Sequence, residues 1–383
     1  IEEVIRSLME QGLVYKADDR WKAKADVIAV QVPDTIQSVI LERVDRLEAE
    51  AKYVLQCASV IGRLFKYRLL DQITQKQKEL DRYLDEFEER YLVYPERTAP
   101  EMEYAFKHAL TQEATYQGIL ERRRQAFHHN VALGIERLYQ ERIEEFYEEL
   151  VYHWEHSKDQ VKTLEYLMKA GQKAAKNYLK DTAIDDYTRA LELAKEMGTS
   201  GDNLAEIYDA RGRVYGNINY YEECISDMME ALNFYTTRPK RASIYAKIAH
   251  AYMWDISDAD EAGRYARRII EEVDAADKSR DTVAAYMIAA STAYSYAPTT
   301  YSYTPEECES YLLKAISISE EMGYKDLLAS QYLDLETMYQ DVALLDKNHG
   351  KRRIAREKAL SYLPYLKPIL ADYAGACLLL AYN

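Results

Sequence analysis

The chain has 383 residues, 48% of them hydrophobic, enough for two or three compact domains or one extended array with a sizeable core. Only 13 Gly and 8 Pro interrupt long runs of Ala, Leu, Glu, Lys and Arg, which excludes a turn-rich β protein and favours an almost wholly helical one. A net charge of −15, with neither half basic, argues against a general nucleic-acid surface, and no run is apolar enough to span a bilayer.

The first segment, residues 1–31, opens on "IEEVIRSLMEQG", an amphipathic helix rather than a signal peptide. The chain starts in mid-helix and stops abruptly at "GACLLLAYN", so it reads as a piece of a longer protein. Residues 32–112 follow with "VPDTIQSVILERVDRL", where Pro33, Asp34 and Thr35 announce a helix, then "EAEAKYVLQCASVIGRLF", the short helix "KYRLLDQIT" and "KELDRYLDEFEERY". "LVYPERTAPEMEYAF" then reads as two short strands joined by a turn. Several helices followed by a β-hairpin describe a small winged-helix domain.

"FKHALTQEATY" crowds proton-handling groups at the end of that hairpin. With "EYAFKH" as the second wing strand, Thr111 is placed to cap the next helix and Glu113 to sit in its first turn, which leaves Lys107 and His108 on opposite sides. Residues 113–159 are connecting helices. Within them "ERRRQAFHH" is the one basic patch, and Arg122, Arg123 and Arg124 are expected to pair with acids such as Glu144, Glu145, Glu148 and Glu149, or to dock another domain. "EELVYHWEH" offers Glu149, His153 and His156 at helical spacing, but without the HExxH order it is not read as a metal site. Cys57, Cys224, Cys308 and Cys377 lie too far apart for a metal knuckle or a disulfide framework, which fits a reduced, cytoplasmic setting.

Residues 160–383 repeat. Gly171, Gly212, Ala249, Ala290 and, more weakly, Glu336 occupy one position in successive pairs of amphipathic helices. Each of the first four pairs carries small or apolar partners in its second helix: Ala183 with Tyr187 and Ala190, Cys224 with Met228 and Ala231, Ala262 with Ala266 and Ile269, Cys308 with Leu312 and Ala315. This pattern resembles the tetratricopeptide repeat (TPR), at steps of roughly 40 residues where the standard repeat has about 34. The resemblance implies a TPR-like α-α superhelix, a solenoid whose first helices line a concave surface. Residues one turn from the packing positions face it: Asp209, Arg213 and Asn217, then His250 and Trp254, then Ser291 and Tyr294, then Thr337 and Gln340. They form a groove for a protein or peptide, with Trp254 as its anchor, or else a solvated face. The insertion "SYAPTTYSYTPEE" gathers Tyr296, Tyr301 and Tyr303 in a loop that either binds or folds over its own aromatics.

From "VPDTIQSVILERVDRLEAEAKYVLQCASVIGRLF" to "FKHALTQEATYQGILERRRQAFH" the wording closely resembles the winged-helix segment of bacterial STAND-type signalling ATPases, in particular those associated with class III adenylate/guanylate cyclases and followed by TPR arrays. The resemblance implies that residues 1–31 end the helical lid of an upstream ATPase core. It also implies that His108, in "KHAL", touches the β-phosphate of ADP in the longer protein, where ATP or ADP and Mg²⁺ are expected. No GxxxxGK(S/T) loop occurs here, so this chain is expected to hold no cofactor and to be no enzyme itself. The expectation is a regulatory, protein-interaction portion. A TPR scaffold without switching, or a DNA-binding regulator, are the alternatives, the latter opposed by Glu79, Asp81, Asp85, Glu86, Glu88 and Glu89 on the helix in the recognition position.

Overall fold

The computed structural model describes residues 14–17, 20–23, 36–272, 278–293 and 305–345, with isolated positions between 353 and 364. It divides into two compact units, Ile1–Ala170 and Gly171–Asn383.

The first described residues form a hairpin within the segment 1–31: β1 (Val14–Ala17) pairs antiparallel with β2 (Arg20–Ala23), Val14 opposite Ala23. "IEEVIRSLMEQG" lies outside the described residues. Then come α1 (Ile36–Asp45), α2 (Ala49–Ile61), β3 (Leu64–Lys66), α3 (Tyr67–Thr74), α4 (Gln77–Glu89), β4 (Val93–Arg97) and β5 (Glu103–Phe106). β5 lies between β3 and β4, antiparallel to both, and all four of its residues are buried. Helix, strand, two helices and a hairpin, with the first strand paired to the last, is the winged-helix arrangement. Pro95 stands in the edge strand β4, where its missing N–H costs no ladder bond, and a bulge at Pro95–Arg97 twists that edge. The core is aromatic: Phe65 stacks on Tyr104 and meets Phe106 edge-on, and Leu80, Leu84 and Phe87 of α4 are buried as well.

β5 ends at Phe106, before Lys107 and His108. α5 (Ala109–Gln117) begins directly after His108, whose extended backbone makes it the N-cap, its carbonyl accepting from the Thr111 N–H at 3.0 Å. Thr111 is therefore not the cap expected of it; it is buried in the first turn, and Glu113 lies beyond that turn. α6 (Glu121–Leu138), a 3₁₀ segment (Gln140–Phe146) and α7 (Tyr147–Ser157) complete the unit and lead into α8 (Gln160–Lys176).

The second unit is a succession of helical hairpins: the end of α8 with α9 (Lys180–Glu196), α10 (Asp202–Gly216) with α11 (Tyr221–Phe234), α12 (Arg238–His250) with α13 (Ala259–Glu272), and α14 (Arg280–Ala293) with α15 (Pro305–Met322), followed by α16 (Lys325–Leu345). Each hairpin packs on the next, and α12 also lies against α14. The small positions sit where helices cross. A Cβ on Gly171 would come within 2.9 Å of the Tyr187 ring, and one on Gly212 would stand 3.1 Å from the Cβ of Asp227. Ala249, Ala262, Ala266 and Ala315 have no exposed surface. The fold is mostly α, a winged-helix unit followed by TPR-like repeats.

Candidate functional site

The first helices α10, α12 and α14 of three successive hairpins, with the start of α11, surround a cavity of about 520 Å³. Arg213, Gly216 and Asn217 come from the last turn of α10, Tyr221, Cys224 and Met228 from α11, and Ala284 and Ile288 from α14. α12 supplies Ser243, Ala246, Lys247 and His250. Such a volume is that of a small-molecule or short-peptide site.

α12 does not stop at His250. It passes into a π turn, Ala251–Ile256, that closes at Ser257 in the left-handed region. In an α-helix residues five apart point to different sides, whereas the wider i→i+5 turn returns them to one side. His250 and Asp255 consequently both line the cavity, Nδ1 to Oδ2 at 3.9 Å. Wide turns of this kind concentrate at functional sites.

The polar groups are unevenly paired. Lys247 Nζ sits 2.6 Å from Asp209 Oδ1, while Arg213 approaches the same carboxylate only to 3.8 Å, at Oδ2. Lys180 Nζ donates to the Asn217 carbonyl at 2.9 Å and adds a cation at the rim. Cys224 is buried on the floor, and burial pushes its thiol up to about 11, so it stays a neutral thiol.

Of the expected groove residues, Arg213, Asn217 and His250 meet on this cavity and Asp209 anchors it from behind. The backbone of Trp254 belongs to the π turn, but its side chain lies outside the described residues, as does that of Ser291. Tyr294, Tyr296, Tyr301 and Tyr303 fall outside them altogether. Two positions on the cavity escaped sequence reasoning. Lys247, three residues before His250, was within reach of helical periodicity; Asp255 was not, because only the π turn brings it round.

In the first unit His108 is half-buried at the corner between β5 and α5. Among the described residues Arg123 and Arg124 show ring contacts rather than the expected pairs with Glu144, Glu145 or Glu149. Arg123 lies over the rings of Tyr53 and Phe127 and Arg124 over Tyr116, because their α6 positions face aromatic neighbours rather than those acids. His153 and His156 gather instead around His128 of α6, with His128 Nδ1 2.9 Å from His153 Nδ1. Among the described residues no helix is long and apolar enough to cross a membrane.

No family model matches the chain, and no curated protein matches it. Solved structures resemble it at low identity. One is the STAND protein (signal transduction ATPase with numerous domains) with a tetratricopeptide repeat sensor from Pyrococcus horikoshii, 13% identical over 88% of this chain and 48% of that one, TM-score 0.47. Another is the C-terminal part of a TPR repeat-containing protein from Cytophaga hutchinsonii, 14% identical over 64% of this chain and 94% of that one, TM-score 0.38. A third is the Rap conjugation gene regulator of plasmid pLS20, in complex with the Phr* peptide, 13% identical over 79% of this chain and 75% of that one, TM-score 0.34. The chain thus spans about half the length of the STAND protein. With scores below 0.5, the assignment of TPR-like repeats rests on the hairpins and crossings described above.

Proposed function

We propose that this chain is the regulatory, non-catalytic portion of a STAND-type signalling ATPase, in which the repeat unit binds a protein or peptide and the winged-helix unit gates an upstream nucleotide-binding fold. The observation that carries the binding half is the cavity shared by α10, α12 and α14, where residues expected from repeat phase alone, Arg213, Asn217 and His250, come together. An apolar floor, convergent polar groups and a concave setting are what a recognition site needs. The buried Cys224 thiol on the floor is held protonated and so is a poor nucleophile.

The gating half rests on the sequence resemblance and the winged-helix order of elements. In the longer protein ADP and Mg²⁺ would be cradled by the upstream fold, and His108, partly accessible at its corner, would donate a hydrogen bond to phosphate in the closed state. A partner that binds the open state better shifts the equilibrium towards it. A DNA-binding reading is opposed by α4, which exposes Glu79, Asp81, Asp85 and Glu89 where phosphates would have to approach.

A photo-crosslinking residue at Asn217, with one at exposed Glu192 as control, tests the groove in cells that make the protein. One partner species should be captured from position 217 and not from position 192; capture from neither, or equally from both, removes the groove reading. The gate requires a P-loop fold encoded before Ile1, and His108→Ala in that longer protein should speed ADP release several-fold.

A further inference from the structure

We propose that the cavity selects one acidic residue of an extended peptide segment, its Asp or Glu carboxylate taken by the guanidinium of Arg213 while an adjacent apolar side chain enters the floor of Met228, Ala246 and Ile288. This rests on the groove reading above and gives it a ligand chemistry.

The decisive group is Arg213, whose side chain is 60% accessible. Its Nε reaches only the Asp209 carbonyl, at 3.4 Å, and Asp209 Oδ2, at 3.8 Å, while Oδ1 of that carboxylate is engaged by Lys247 at 2.6 Å. Among the described residues the terminal nitrogens Nη1 and Nη2 of Arg213 have no protein acceptor. Two residues earlier on the same helix Arg211 shows the contrast: its Nε and Nη2 both donate to Asp227 at 2.8 Å and its Nη1 to Thr188 at 2.9 Å. A guanidinium with an open fork presents two parallel donors whose geometry matches a carboxylate.

The surrounding charge limits how many acids fit. Lys247, which shares the Asp209 carboxylate with Arg213, and Lys180, bound to the Asn217 carbonyl, add positive charge near Arg213, in a chain whose net charge is −15. Asp255, held by the π turn beside His250, lines the same cavity and repels a second carboxylate. One acid at the Arg213 end, followed by an apolar residue, satisfies both. The volume of about 520 Å³ takes a few side chains of an extended segment, not a folded surface.

The test pans random linear peptides displayed on phage against the full chain, then measures synthetic consensus peptides by fluorescence anisotropy. Enriched peptides should carry Asp or Glu beside Leu, Ile, Met or Phe. Affinity should fall about 10- to 100-fold when the acid is changed to its amide or Arg213 to Ala, with Arg213→Lys recovering only part. Ala284 lines the cavity from an exposed position, so Ala284→Trp should fill it without disturbing the core, as an unchanged helical circular dichroism spectrum would verify. A consensus lacking an acid, or affinity indifferent to Arg213→Ala, overturns the carboxylate assignment. If such peptides are still blocked by Ala284→Trp, the groove reading survives alone. If no peptide is enriched, or Ala284→Trp leaves binding intact, both fall.

Discussion

His128 of α6 and His153 of α7 are fully buried, and their Nδ1 atoms lie 2.9 Å apart, so one of the two must carry a hydrogen there and the other must not. The Tyr116 hydroxyl, 3.0 Å from His128 Nε2, is satisfied if it donates to that nitrogen; His128 then donates from Nδ1 to His153, an assignment made from the network. Burial, then the neighbouring charges of His156 and Arg124, push His128 down to about 3; burial, then His128 and His156, push His153 down to about 3. The folded pKa lies below the ordinary 6.5, so the pair is neutral in the fold and protonates first in the unfolded chain. Its stability is therefore fully present above pH 6.5 and lost as pH falls from there towards 3, by about 1.4 kcal/mol per pH unit for each proton taken up on unfolding. Urea midpoints at pH 7, 6 and 5 should show this slope, and the double variant His128→Gln, His153→Gln should show less of it. Equal slopes would rule the pair out as the cause. None of this was legible in "EELVYHWEH", because spacing along one helix shows which residues share a face but not which histidine of another helix meets them.

Between helices, the recurrent small residue was legible because close crossing leaves no room for a side chain. At Gly212 an added methyl would meet Met228 and Asp227 side-chain atoms at 3.1 Å and the Cys224 carbonyl at 3.3 Å, and the last is backbone that cannot swing aside. Gly212→Ala should therefore cost about 1–3 kcal/mol from overpacking, more than the ~1 kcal/mol that alanine's helix propensity returns. Chemical denaturation of the full chain measures it, and a stabilised variant would show that α10 and α11 are looser than described. The short strands were the illegible elements. β3 has three residues, of which only Phe65 is buried, too few for an alternation to register, so in the sequence its residues pass as the end of the helix "EAEAKYVLQCASVIGRLF" and the start of "KYRLLDQIT". The hairpin Val14–Ala23 was missed for the same reason, its two strands of four residues lying beside a strongly amphipathic stretch.

At the scale of the whole molecule the repeats make stability local, since among the described residues each hairpin packs chiefly on its neighbours. Arg211 joins two hairpins, reaching Thr188 on α9 and Asp227 on α11, and the Asp227 side chain is only 6% accessible. Arg211→Ala leaves that carboxylate buried without its partner, at a cost of about 3–5 kcal/mol. Amide exchange should quicken through α9, α10 and α11 while α15 and α16 keep their protection. A rise spread evenly over the unit would mean that the array melts as one body. The π turn carries a different consequence. An uninterrupted α-helix keeps one angular phase from end to end, and the wider loop at Ala251–Ile256 resets it. Anyone transplanting this recess onto a regular repeat scaffold must move the backbone turn along with the side chains, or Arg213, Lys247 and His250 would arrive without Asp255.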